Sequence, residues 1–365
     1  MAYTTINKPS EYFNTVLWSG DGTSPRTITG VGFQPEWVWL KHRSGTGTRD
    51  HYLSDVVRGA TNSLNSNTTD AEVATESNGY TSAFASDGFT LTSGSNSIGD
   101  VNDSARSYVA WNWLAGGSAS SNTDGSITSS VSANTTSGFS IVSFTGTGAN
   151  ATVGHGLGSA PKMVIFKNRD NGTQEWDTYH AGLTDATYFV QLNSTNAQSN
   201  TNGALRFNST APTSSVFSVG TATTTNESSS AMIAYCFAEK KGFSKFGLYT
   251  GNGDTGGDGT FVYCGFKPAF VMVKRTNGAF GWVMIDNKRS TPSGNNLIDK
   301  SLFADTSGVD YAPGSGWVAD FLSNGFKFRM TANHSAANGN GDPYIYMAFA
   351  ENPLVTTGKV PATAR

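Results

Sequence analysis

The side chains best suited to hold a metal or pass a proton near neutral pH are five histidines: His42, His51, His155, His180 and His334. None falls into an H-x-H, H-E-x-x-H or Cys/His ligand spacing, so they read as surface or capping residues. The segment Gly253 to Gly259 (GDTGGDG) places two aspartates on a glycine loop, a pattern that can offer oxygens to calcium. It lacks the order and the closing glutamate of an EF-hand. The matching loop, Gly146 to Thr152, has no carboxylate, and a glycine-rich hairpin is the reading adopted. No G-x-S-x-G elbow supports a serine nucleophile. One recurring position holds Asp55, His180 and Asp286, acidic twice and imidazole once, which excludes an invariant general acid. No catalytic residue, metal ligand or cofactor is expected, and the chain is read as a non-enzyme. Cys236 and Cys264 each sit in an apolar run and read as buried free thiols.

Aromatics and lysines are the other leads. Five of the eight tryptophans fall in the first third: Trp18, Trp37, Trp39, Trp111 and Trp113. They read as filling of a large core, with a sugar-stacking platform as the alternative. Lys41, Lys167 and Lys274 each end an apolar run and read as solvated charges that protect strand edges.

These residues recur because the chain repeats itself. Pro35 to Lys41 (PEWVWLK), Pro161 to Lys167 (PKMVIFK) and Pro268 to Lys274 (PAFVMVK) share one proline-to-lysine spacing. Each is preceded by an aromatic, a hydroxyl residue and a glycine, as in Trp18, Ser19 and Gly20. Each is followed by a closing strand that ends in Trp113, Phe237 or Phe349. Alternate apolar residues in the closing strands have the period of a half-buried strand. The proline runs are apolar at every position and are expected to lie centrally, covered on both faces, with the proline at the strand start. Pro35, Pro161, Pro268, Trp113, Phe237 and Phe349 are therefore the expected structural core of the repeat. The only helical hint is one turn in Tyr52 to Arg58.

The expected fold is all-β: three tandem antiparallel β-sandwich, jelly-roll-like repeats with almost no helix. The boundaries are an N-terminal arm at 1–12, repeats at 13–115, 138–241 and 242–353, a Gly/Ser-rich linker at 116–137 and a tail at 354–365. The linker predicts a loosely attached first repeat, with Ser126 to Val131 able to pair as an edge strand, and the second and third repeats rigidly docked. Only 14% of residues are charged and 42 are glycine, a turn-rich composition, while 22 Phe, 13 Tyr and 8 Trp supply too much burial for disorder. A net charge of −3 gives no pull toward nucleic acid or anionic membrane. Neither a secretory signal nor an apolar run long enough for a membrane span is read, so synthesis in a cytoplasm is expected.

The runs Gly32 to Lys41, Tyr52 to Gly59, Ser86 to Leu91 and Ser107 to Gly117 resemble an uncharacterised repeat in structural proteins of marine bacteriophages. Gly154 to Pro161 and Ile233 to Glu239 continue the likeness. The third unit keeps Gly265 to Pro268 and Met347 to Glu351 but departs from the Y-V-A-W-x-W form. The resemblance implies a virion structural protein, a tail fibre, adsorption appendage or tail knob. A capsid decoration protein and a host-glycan-binding, lectin-like module are the alternatives. Implied partners are other virion proteins and a host surface glycan or receptor, with neither nucleic acid nor membrane insertion. A homo-oligomer is expected, a trimer favoured and gripped through the terminal arms. Its rival is one chain whose three units form a pseudo-trimer.

Overall fold

The computed structural model describes residues 3–290, 297–311, 318–332, 335–356 and 358, so His334 and most of the tail lie outside the described residues. The described residues are nearly all β, at 42% strand and 4% helix, in several antiparallel sheets with no closed barrel among them.

Each repeat builds one main sheet in the same order: opening strand, closing strand, proline strand, fourth strand, fifth strand. In the first unit these are Phe13–Ser19, Ser107–Trp113, Trp37–His42, Tyr52–Asp55 and Gly59–Leu64. In the second they are Phe139–Thr145, Ala231–Phe237, Met163–Asn168, Asp177–His180 and Val190–Gln191. In the third they are Ser244–Thr250, Pro343–Pro353, Phe266–Arg275, Val283–Asp286 and Leu302–Phe303. The registers coincide. Trp113 pairs with Phe13 and Trp37, Phe237 with Phe139 and Met163, and Phe349 with Ser244 and Phe270. Asp55, His180 and Asp286 stand opposite Trp37, Met163 and Phe270.

Alternation along these strands creates two apolar faces. Val38, Leu40 and Tyr108 pack outward against a small second sheet carrying Phe89 and Leu91, closing a private sandwich core for the first unit. The other units do the same around Phe217 and Phe326. The opposite faces, with Trp37, Trp39, Trp111 and Trp113 from the first unit, meet those of both other units in one shared core. Trp37 stacks on Tyr235 with centroids 4.4 Å apart, and Phe13 stacks on Phe349 at 5.0 Å. Three sandwiches thus surround a common aromatic centre with pseudo-threefold symmetry.

Several expectations are corrected. The first unit is not loosely attached, because its tryptophan face is the largest contributor of indole rings to the shared core. The Gly/Ser-rich segment 116–137 is no linker. Ser129–Asn134 pairs along the second unit's opening strand and Ser120–Asn122 pairs in turn with it, since small hydroxyl residues around Val131 fit a pleated edge. The arm docks on the third unit of its own chain: the Tyr3 hydroxyl donates to Gly265 O at 2.6 Å, and Ile6 enters the shared core. Tyr52 to Arg58 is a strand followed by a turn, because the Asp55 carboxylate accepts the amides of Val57 and Arg58. Pro268 lies inside its strand rather than at the start, tolerated by register shifts on either side of it.

Candidate functional site: the seams and the outer faces

Pro35, Pro161 and Pro268 are buried, the first two just before and the third inside a strand flanked by the closing and fourth strands. Trp113, Phe237 and Phe349 are each 1% exposed. They gather at the shared centre, with Phe349 lying 5.7 Å from Trp113 and 6.1 Å from Phe237.

The lysines are not solvated. Lys41, Lys167 and Lys274 are fully buried, and each ammonium is divided between a loop of its own unit and a loop of the preceding one. Lys41 donates to Arg49 O and Ser307 O, Lys167 to Gln174 O and Thr69 O, Lys274 to Phe280 O and Thr195 O. The cross-unit distances are 3.0, 2.6 and 2.8 Å. Four residues earlier in each accepting loop a second carbonyl takes a ring N–H. Phe303 O lies 3.0 Å from His51 Nε2, Asn65 O accepts from Trp176 Nε1 at 3.0 Å, and Gln191 O from Trp282 Nε1 at 2.8 Å. Three residues after the lysine's acceptor, a backbone N–H closes the seam. Asp310 donates to Arg43 O, Glu72 to Arg169 O and Gln198 to Thr276 O. The same three-point clasp therefore joins the first unit to the third, the second to the first and the third to the second.

The Asp55, His180 and Asp286 positions add a fourth link. Tyr235 Oη donates to Asp55 Oδ2 at 2.7 Å, and Trp111 Nε1 to Asp286 Oδ2 at 3.0 Å. Tyr235 and Trp111 occupy equivalent places, and the third member there is Met347, which has nothing to donate. Facing it the acid is replaced: His180 Nε2 donates to Tyr346 O at 3.1 Å. The exception in the sequence pattern is thus a matched pair of changes. Both aspartates are braced locally by an arginine three residues on, Arg58 and Arg289, with all four side chains fully buried. Arg58 reaches Glu72, which also binds Arg169 of the second unit. Arg289 reaches Asp310, which also binds Arg43 of the first.

These contacts set the protonation states. Burial pushes the Lys41 ammonium down to about 7, and Lys167 and Lys274 to about 8, against partial opposition from nearby carboxylates. Burial lowers His180 to about 4 and His51 well below its ordinary value. Both are neutral imidazoles with two committed nitrogens: His180 Nδ1 accepts from Gly182 N at 2.9 Å, and His51 Nδ1 from Trp39 Nε1 at 2.8 Å. Burial works to raise the Asp286 carboxyl, but the Arg289 guanidinium overrides it and holds the group below its usual range. Each of these groups is hydrogen-bonded inside the protein. Asp254 likewise caps its own loop, accepting Gly256 N at 3.0 Å and Asp258 N at 2.6 Å. Among the described residues no three His, Cys, Asp or Glu side chains converge as metal ligands. Cys236 and Cys264 are unbridged and buried.

The seven described tryptophans are all buried, which leaves none as a surface platform. The outer faces of the small sheets carry other residues. Phe261–Tyr263, Gly325–Phe328 and Ala319–Leu322 form the third unit's small sheet, with Phe261 43% and Tyr263 55% exposed. The equivalent places hold Thr27 and Thr29 in the first unit, and Thr152 and Gly154 in the second. This pair was missed in the sequence, although the alternation of Phe261, Val262 and Tyr263 around one buried valine was there to be read.

The family model described as a domain of unknown function, DUF7483, matches residues 8–353. The chain belongs to that family, whose single domain spans all three units. No curated protein and no solved structure matches it.

Proposed function

We propose that the protein is a non-enzymatic structural component of a phage virion, exposed on the particle as part of a tail fibre, adsorption appendage or tail knob. One observation carries the non-enzymatic part. The lysines, imidazoles and aspartates that recur with the repeat are spent in the clasps between units, so their repetition serves cohesion rather than turnover. The virion assignment rests on the resemblance of the repeat to phage structural proteins, and a capsid decoration protein is the same reading at another location. Because three units of one chain already close around a common core, we propose that it acts as a covalent pseudo-trimer, suited to a threefold position without needing two further copies.

Immunogold electron microscopy of intact particles, with an antibody to this chain, tests the location: label on the tail is expected, and unlabelled particles would remove the virion reading. Native mass measurement at micromolar concentration tests the pseudo-trimer, with 38.5 kDa expected and a mass three times larger restoring the homotrimer.

A further inference from the structure

Among the described residues, the outer face of the third unit's small sheet is where two large aromatics, Phe261 and Tyr263, stand exposed on one strand. Strand pairing sets out two rows across it: Tyr263, Gly325 and Leu322, then Phe261, Lys327 and Asp320. Val262, Phe326 and Phe328 point the other way into the sandwich core. Residues two apart on a strand are about 7 Å apart, so the Phe261 and Tyr263 rings form a short flat stripe. Tyr3, brought in by the arm, extends it: its hydroxyl is bonded to Gly265 O and faces that of Tyr263, and burial together with Tyr263 raises it to about 12. Lys241 Nζ covers the Tyr3 ring at 4.6 Å from its centroid.

The fold does not require these rings, since threonine and glycine serve at the equivalent places in the other units. Their exposure carries an unfavourable hydration term that a purely architectural surface would avoid.

We infer that this face binds a neutral saccharide, with the flat C–H side of a sugar ring lying on Phe261 and Tyr263 and its hydroxyls meeting Tyr3, Tyr263 and the edge of the sheet. Lys327 is paired with Asp258 and Arg329 with Asp320, so beside the stripe Lys241 stands as a lone ammonium over the Tyr3 ring, and one cation does not make the extended field that selects a nucleic acid. The stripe of three rings is far smaller than the roughly 1,200–2,000 Å² that a stable protein interface buries. A shallow stripe also cannot enclose a small apolar molecule, which needs a concave pocket. A ligand with one apolar flat side, a polar rim and no charge satisfies all three constraints.

The inference does not depend on the virion reading, because binding and particle location are measured separately. The test places the full chain on an array of neutral hexose and N-acetylhexosamine oligosaccharides, beside the double variant F261T/Y263T, which copies the first unit's outer face. Binding by the wild type is expected to fall at least tenfold in the variant at unchanged melting temperature. Changing Thr27 and Thr29 to valine in the first unit should leave it intact. No binding on the array, binding that survives F261T/Y263T, or capture only by acidic polysaccharides with loss in salt would each overturn it. Self-association that the double variant abolishes would overturn it too, making the face a contact between copies.

Discussion

The seams and the outer faces of this protein follow opposite rules. At each seam one ring N–H, one lysine and one backbone amide meet acceptors in fixed order, and where Met347 cannot donate, its counterpart changes from aspartate to His180. On the outer faces the equivalent positions run from Thr27 and Thr29 through Thr152 and Gly154 to Phe261 and Tyr263. A closed ring of three interfaces fails if any one of them fails, so chemistry there is held constant in role even when residues differ. The outer faces carry none of these clasps and are free to diverge, which is why the binding proposal is placed there.

The contrast breaks first at its most buried points. Asp55→Ala or Asp286→Ala leaves a fully buried guanidinium short of its partner and should destabilise by about 3–5 kcal/mol. Trp113→Ala, Phe237→Ala and Phe349→Ala should lose about 3–5 kcal/mol each through the cavity at the shared centre. Urea midpoints measure both, and values near zero would mean the central core is not closed in solution.

The matched change at the seam between the second and third units gives a sharper test. His180→Asp alone buries a carboxylate against a carbonyl and should destabilise the chain. Adding Met347→Tyr supplies the donor that Tyr235 gives Asp55 between the second and first units, and the double-mutant cycle should return a favourable coupling of roughly 0.5–3 kcal/mol. A coupling of zero would show that the two positions changed independently.

Protons report on all three seams at once. The depressed histidines His51 and His180 bind protons in the unfolded chain before they do in the folded one, so the stability they contribute is lost as pH drops from about 6.5 toward 4. The lysines extend the same sign upward. Between their folded values of about 7 to 8 and the unfolded 10.5, the unfolded chain holds more protons, so stability rises with pH. Buried tyrosines oppose this only above about pH 10. The urea midpoint is therefore expected to be higher at pH 9 than at pH 7, and a flat profile would indicate ammonium groups kept charged by their carbonyl acceptors. The smallest effect belongs to the outer face: F261T/Y263T should change stability by no more than about 0.5 kcal/mol.

The sequence made half of the seam readable. The proline-to-lysine spacing, the closing aromatics and the Asp55, His180 and Asp286 position all fall in register. The other half left no trace, because the acceptors are backbone carbonyls. Asn65, Gln191 and Phe303 do one job, and any residue can supply a carbonyl. With those acceptors invisible, a lysine at a strand end reads as solvated. The serine-rich segment at 116–137 reads mainly as a linker for a related reason, although Ser126 to Val131 is legible as an edge strand. Its strand pairs with an edge, and an edge selects small residues through backbone geometry rather than through an apolar pattern.

The ring of clasps also sets a clock for synthesis. Lys41 needs the carbonyl of Ser307, 266 residues further along the chain. At roughly 5–20 residues per second that acceptor emerges about 13–50 s later. Until then the face bearing Trp37, Trp39, Trp111 and Trp113 has no third wall, and the second unit covers only part of it. The nascent chain therefore presents its stickiest surface for most of its translation. Expression yield should depend on elongation speed and on holdase chaperones far more than the stability of the finished protein would suggest.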